Sequence, residues 1–307
     1  MADGFSDRIV VIAHRDESTT AEVVGALHDG GLSSVIDVVR SDDAAGVTSI
    51  ARDAASQGAR AVVAIGGDGT VNLVAQGLMG SSTPLAVAPA GTVNLLSQLT
   101  GLDSFAFTVE ALKAGDVRSI DVGDVTTDAD NGGSTSSPFL LNASSGFDAA
   151  VIEDADDHSH ARFGRLRFAT AGLKRLRRSQ PRQLSVHVDG ELWFTGRAMS
   201  AIVMNFGQRV TADLDVAPDA EPDDGLLDVL VVSCSTLRRF LTVVIRLIAG
   251  RAVDPADVLR TRGAAVDVEW VRAEAVQLDG DVSAHTRILR HRVRPSALEV
   301  YHRPPRG

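Results

Sequence analysis

An apolar run, Ala61 to Ile65 (AVVAI), ends directly in Gly66-Gly67-Asp68-Gly69-Thr70, and a helical pattern begins at about Val71. A strand that breaks into glycines and restarts as a helix allows few folds. Glycines let the backbone come close to a phosphate, and the following helix N-terminus offers free N–H groups to an anion. No Gly-Lys-Ser/Thr follows, so this is not a Walker A loop, and the G-x-G-x-x-G dinucleotide fingerprint is absent. A tight turn capped by Asp68 would account for one or two glycines but not for three around an acid. The segment therefore reads as a nucleotide-phosphate loop.

A second loop repeats the pattern. The strand Leu85 to Ala88 runs into Pro89-Ala90-Gly91-Thr92-Val93-Asn94, so Gly69-Thr70-Val71-Asn72 and Gly91-Thr92-Val93-Asn94 both follow strands. Two such loops would line one crevice at the carboxyl edge of a parallel sheet, where open α/β sheets bind ligands. The surrounding chain fits. Short apolar strands at Arg8–Ala13 and Ser34–Val39 alternate with helical patterns at Ser18–Asp29, Val47–Gln57 and Asn94–Thr100, the mark of a sheet covered on both faces.

After about Ala114 the texture changes. Asp128 to Ser137 is small, polar and glycine-rich and reads as a surface loop. Beyond it lie alternating β-branched runs at Phe139–Asn142, Leu184–Val188, Leu192–Asn205, Leu227–Ser233 and Ala264–Gln277, with Asp189-Gly190 and Asp279-Gly280 as hairpin turns. Helical patterns interrupt them at Leu166–Arg178 and Leu237–Ala249. The expected fold class is α/β plus β, in two domains. Residues 1–115, completed by 292–307, form a parallel-sheet nucleotide domain, and residues 116–291 a β-rich, sandwich-like second domain.

Composition narrows the function classes. A formal net charge of −10 argues against a general nucleic-acid binder. The only cysteine, Cys234, permits neither an intramolecular disulfide nor a cysteine-based zinc site. The acid-bearing N-terminus does not resemble a secretory signal, and no apolar run reaches the ~20 residues of a spanning helix. The expected location is cytoplasmic. Ala161 to Arg182 nevertheless carries eight basic residues and no acid. In Leu166–Arg178, Leu166, Ala169, Leu173 and Leu176 form an apolar stripe flanked by arginines. Such a helix can dock on an anionic membrane face; a solvated face or ordinary core packing is the alternative.

With these pieces in order, the chain resembles the diacylglycerol kinase catalytic domain family, which includes bacterial lipid kinases and sphingosine kinases. GGDGTVNLVAQGL and PAGTVNLLSQLTG resemble its two nucleotide loops. RSIDVGDV (from Arg118) resembles its crossing into the second domain, and LNASSGFDAAV (from Leu141) its Gly-Phe-Asp segment. APDAEPDDGLLDV (from Ala217) resembles its acidic segment, and VQLDGD (from Val276) its late Asp-Gly-Glu motif. The resemblance implies ATP and Mg²⁺ as cofactors, a site in a cleft between the two domains, and phosphoryl transfer to the hydroxyl of a membrane-resident lipid. It also implies that the last strand, Ala297 to Tyr301, returns to the first domain. A homodimer is left open.

Carried over residue by residue, the resemblance gives Gly66, Gly67, Asp68, Gly69, Thr70, Gly91, Thr92, Asn94 and Asp281 to the cofactor site. Asp279 becomes the general base; Asp189-Gly190-Glu191 spells the motif more literally but comes too early in the chain. Asp68 is placed among the catalytic residues as an organiser, linked with Asp121 to a structural Mg²⁺. That metal's ligands would be the carboxylate of Asp224 and the backbone carbonyls of Glu221 and Leu226. Three departures stand out: Ala13-His14-Arg15-Asp16-Glu17 lacks the family's Asn-Pro-x-x-Gly, Leu95 stands where many members have a polar residue, and Asp281 replaces a glutamate. A non-catalytic regulator of the same fold and an NAD kinase-type enzyme are the competing readings.

Overall fold

The computed structural model describes residues 6–13, 17–32, 36–40, 43–91, 94–128, 133–156, 179–206, 209–211, 214–215, 220–234, 236–248, 251 and 253–304. The chain divides into two compact units, Met1–Asp121 with Pro295–Gly307, and Val122–Arg294.

In the first unit, β1 (Ser6–Ala13), β2 (Ile36–Arg40), β3 (Ala59–Gly66) and β4 (Leu85–Pro89) pair in parallel in the order β4-β3-β1-β2. They are joined by α1 (Glu17–Asp29), α2 (Ala44–Ser56), α3 (Asp68–Leu78), α4 (Leu95–Thr100) and α5 (Phe105–Ala114). Consecutive strand residues point to opposite faces, so a strand buried on both sides must be apolar throughout. Ile9 to Ala13 and Ala61 to Ile65 are almost wholly buried. One face packs Ile9, Val11, Ala61, Val63 and Ile65 against Val23 and Leu27 of α1 and Ala111 and Leu112 of α5. Elsewhere α2 and α3 lie so close that a Cβ on Gly77 would stand 2.5 Å from the Thr48 carbonyl oxygen. α3 begins at Asp68, three residues before the helical periodicity suggested, because the apolar pattern cannot register a solvent-facing first turn.

The second unit is built on β5 (Val117–Asp128), β6 (Ser134–Phe139), β7 (Asn142–Gly146), β8 (Arg182–Val188), β9 (Glu191–Ala198), β10 (Ser200–Met204), the short pair β11 (Arg209–Thr211) and β12 (Leu214–Asp215), β13 (Leu227–Val232), β14 (Val258–Gly263), β15 (Ala265–Leu278) and β16 (Asp281–Tyr301). Two described helices, α6 (Phe147–Asp156) and α7 (Leu237–Ile248), accompany them. β5 and β16 each continue into the first unit, where Val300 pairs in parallel with Leu85. β15 turns the unit into two layers. Its first half pairs with β8, and after an irregularity between Glu269 and Glu274 its second half pairs with β7, while β16 follows it on the other side. Between the layers lie Phe139, Leu184, Val186, Val203, Val229, Val268, Trp270 and Leu289.

The polar run expected to be a loop from Asp128 to Ser137 is shorter than that. Ser134 to Phe139 forms an antiparallel strand on β5, and Ser136 Oγ donates to Asp124 at 2.9 Å. Serine and threonine carry no apolar signal on an exposed edge, yet their backbone pairs as well as any other. Trp270 is core, as its strand pattern suggests, whereas Trp193 is half-buried. Cys234 is fully buried, and burial pushes its thiol up to about 11. No helix among the described residues is long and apolar enough to cross a membrane. The basic segment 161–178 lies outside the described residues.

Gly123 pairs directly with the buried Phe139, and a Cβ there would meet the ring at 2.0 Å. Gly123→Ala should destabilise the second unit by about 1–3 kcal/mol, the usual cost of overpacking. Urea unfolding measures this, and adding Phe139→Leu should recover part of the loss.

Candidate active site

In the first unit, β3 delivers the chain to Gly67, the N-cap of α3, and no side chain caps that helix. The N–H groups of Asp68, Gly69 and Thr70 have no acceptor among the described residues, so the helix end presents donors and a positive partial charge. The second loop lies against the first. Ala90 N donates to Gly66 O at 3.0 Å, and a Cβ on Gly91 would stand 2.5 Å from Gly67 Cα. Asp68 joins them again: its Oδ1 accepts from Leu95 N at 2.6 Å, capping α4. Asn94, at φ 54°, braces its own loop, with Gly91 N donating to its Oδ1 and its Nδ2 donating to Gly91 O.

The glycines therefore have different causes. Gly67 and Gly91 are required by each other, and a Cβ on Gly66 would collide with Thr70. Gly69 meets nothing within 4 Å and sits in an ordinary helical turn. Neither packing nor backbone conformation demands a glycine there. Thr92 lies outside the described residues.

In the second unit, Asp279 and Gly280 have φ of 51° and 96° and close the two-residue turn between β15 and β16. The Asp279 carboxylate folds back onto the approach to β7. Its Oδ1 accepts from Leu141 N at 2.7 Å and Asn142 N at 3.0 Å, and its Oδ2 from Leu140 N at 2.8 Å. Such bonds favour the anion, but burial outweighs them, and Asp281 adds a like charge. The carboxyl is pushed up to about 6. With two donors on Oδ1 and one on Oδ2, the open lone-pair site is on Oδ2. The group is an oriented carboxylate poised near neutrality.

Asp189-Gly190 makes the same turn, with φ of 50° and 88°, and its carboxylate accepts from Ala265 N at 2.9 Å. It is exposed and has one such partner, so backbone conformation alone does not set Asp279 apart. In the acidic segment, Asp224 Oδ1 accepts from Leu226 N at 2.9 Å, and its Oδ2 lies 3.4 Å from the Arg262 guanidinium. Glu221 is exposed, and no cluster of three or more metal-ligating side chains occurs among the described residues. The Asp224 carboxylate, which the resemblance assigns to Mg²⁺ together with the backbone carbonyls of Glu221 and Leu226, thus already faces a guanidinium. Asp121 is buried, and its Oδ1 accepts from Ser296 N at 2.8 Å.

Two polar residues escaped the sequence reading. Gln277 is 3% exposed. Its Oε1 accepts from Gly280 N at 2.7 Å, and its Nε2 donates to Asn142 Oδ1 at 2.5 Å and to Ser144 Oγ at 2.7 Å. The signal was a glutamine two residues before the Asp-Gly turn; nothing adjacent in the sequence links it to Asn142.

Residues 14–125 match the diacylglycerol kinase catalytic domain, and residues 142–302 match the YegS C-terminal NAD kinase beta sandwich-like domain. The chain belongs to the diacylglycerol kinase catalytic domain family. Members of this family are phosphotransferases with an alcohol acceptor. The chain is 29% identical over 278 residues to a diacylglycerol kinase of Mycobacterium tuberculosis, covering 89% of this chain and 86% of that one. It is 27% identical over 300 residues to a probable lipid kinase YegS-like protein of Pseudomonas aeruginosa, covering 96% and 94%. A Synechocystis relative of undescribed role is longer: the match, 27% identical, covers 78% of this chain and about half, 54%, of that protein. Among solved structures, a putative diacylglycerol kinase of Bacillus anthracis superposes with a TM-score of 0.73 at 17% identity, covering 97% and 98%. An NAD kinase of Archaeoglobus fulgidus, in complex with ATP, does so with 0.55 at 13%, covering 96% and 94%. These two show the shared fold.

Gly91→Ala must push the two loops apart and should lower thermal stability along with nucleotide affinity. Gly69→Ala should leave the melting temperature unchanged, or slightly raised, and still weaken nucleotide binding in calorimetry.

Proposed function

We propose that this chain is a lipid kinase that transfers the γ-phosphoryl group of ATP, bound as its Mg²⁺ complex, to a hydroxyl of a diacylglycerol-like lipid at a membrane surface. The observation that carries the reading is Asp279: a half-buried carboxylate, aimed by backbone donors and pushed up to about 6. Its match to the late motif of a family of alcohol phosphotransferases gives that carboxylate a task.

On this reading the open helix end at Asp68–Thr70 receives the nucleotide phosphates, and the unobstructed Gly69 lets them approach the backbone. Mg²⁺ enters with the nucleotide as part of the substrate, neutralising phosphate charge; the reading needs no structural metal at Asp224. Asp279 Oδ2 orients the lipid hydroxyl and accepts its proton as the new O–P bond forms, while the bond from the γ-phosphorus to the bridging oxygen breaks and ADP leaves. An aspartate can do this because phosphoryl transfer has a loose transition state, in which the proton moves late. Asp68 holds the two glycine loops together and does not itself take the proton. The lipid is a neutral acceptor, so recognition rests on hydroxyl and ester oxygens and apolar contact.

The test is transfer from γ-labelled ATP in mixed micelles containing diacylglycerol. Lipid-phase label is expected from the wild type, with Asp279→Asn reduced about 10²–10⁴-fold. Because the base works as the anion, kcat/KM should fall as pH drops through about 6, with a one-proton slope. ATP binding without any lipid label would instead indicate a non-catalytic member of the fold. Label appearing on a dinucleotide would indicate the NAD kinase-type reaction.

A further inference from the structure

The hydrogen bonds around Gln277 fix the direction of a neighbouring amide. Gly280 N can only donate, so the Gln277 atom facing it must be Oε1. Nε2 then points the other way, and both of its hydrogens are used, on Asn142 Oδ1 and on Ser144 Oγ. Ser144 Oγ, having accepted from Gln277, keeps its own hydrogen for the Asp148 carboxyl, which is raised by burial and opposed by this hydroxyl and that of Ser200. The chain of bonds has one direction throughout, so turning any amide over would set donor against donor.

The consequence falls on Asn142. With Oδ1 committed to Gln277, its Nδ2 carries two N–H groups that have no acceptor among the described residues. The same residue's backbone N–H holds the Asp279 carboxylate, so these donors stand within one residue of the group that faces the lipid hydroxyl. Asn142 is half-buried. A paired N–H donor with no charge suits an uncharged oxygen that only accepts. In a diacylglycerol the oxygen nearest the free hydroxyl that meets this description is an ester carbonyl.

We propose that Asn142 Nδ2 binds the ester carbonyl oxygen beside the attacking hydroxyl, and that Gln277 is a positioning residue that aims it. This rests on the reading of Asp279 as the proton acceptor. Asn142 thereby fixes which hydroxyl reaches Asp279.

Gln277→Glu tests it without touching Asn142. A carboxylate still accepts from Gly280 N but cannot donate to Asn142 Oδ1, so the asparagine amide inverts and presents an acceptor where the lipid needs a donor. The KM for diacylglycerol should rise about tenfold or more, the usual effect of facing a buried acceptor with a lone pair, while the KM for ATP stays unchanged. Asn142→Ala should raise the lipid KM similarly, and Gln277→Glu placed on Asn142→Ala should add less than twofold, because its effect passes through the amide. Effects that multiply in the double variant, or a lipid KM unchanged in Asn142→Ala, overturn the proposal. If Gln277→Glu fails to fold, Asn142→Ala alone decides. Asp279→Asn separates the two levels. If it retains transfer, the proton-acceptor reading falls; if it is inactive while Asn142→Ala binds lipid normally, only the present inference falls.

Discussion

Three backbone N–H groups converge on the Asp279 carboxylate, and much of the second unit is arranged to bring them there. A buried carboxylate without partners would cost several kcal/mol and would be expelled or neutralised. Residues 140–142 enter β7 at the point where β15 turns into β16, so one carboxylate ties three segments together. The return bond, Asp279 N to Asn142 O at 2.9 Å, closes the junction. The left-handed conformation of Asp279 and Gly280 makes that geometry reachable within a two-residue turn. The bonds that hold the turn also leave Oδ2 with an open lone pair.

The first unit meets a different constraint, the close approach of two backbones. Gly67 and Gly91 allow β3 and β4 to end in loops that nearly touch, and Asp68 links those loops by capping α4. α3, which carries Asp68, keeps an uncapped N-terminus. The acid serves as a local fastener, while the positive end of its own helix stays open. Here the glycine-rich motif divides: Gly66 and Gly67 serve packing, and Gly69 borders open space.

Much of this was legible in the residues. Strands buried on both faces must be apolar throughout, so β1, β3 and β4 stand out as uninterrupted runs. Asp-Gly between alternating segments marked both hairpins. Less visible were features that rest on backbone pairing or on a solvent-facing turn. β6, all serine and threonine at its start, pairs with β5 without an apolar signature, and the first turn of α3 lies outside any hydrophobic period. The roles of Gln277 and Asn142 were invisible for a related reason. Their partners, Gly280 and Ser144 for one and Gln277 for the other, are set by strand register, and a residue's neighbours along the chain do not report register.

Taken alone, the amino-acid sequence determined the strand–glycine–helix unit, the change from parallel to antiparallel texture and the two Asp-Gly turns, because these follow from local sterics and from the period of apolar residues. It could not separate Asp279 from Asp189, since the two make the same turn with nearly the same dihedral angles; only order along the chain favoured one. Tertiary structure separates them physically. Asp189 faces solvent, which screens and solvates it, whereas Asp279 is half-buried against three N–H groups and its carboxyl is pushed up to about 6. Burial is a property of what the rest of the chain places around a residue, and for that reason the chemistry of this aspartate was decided only by the fold.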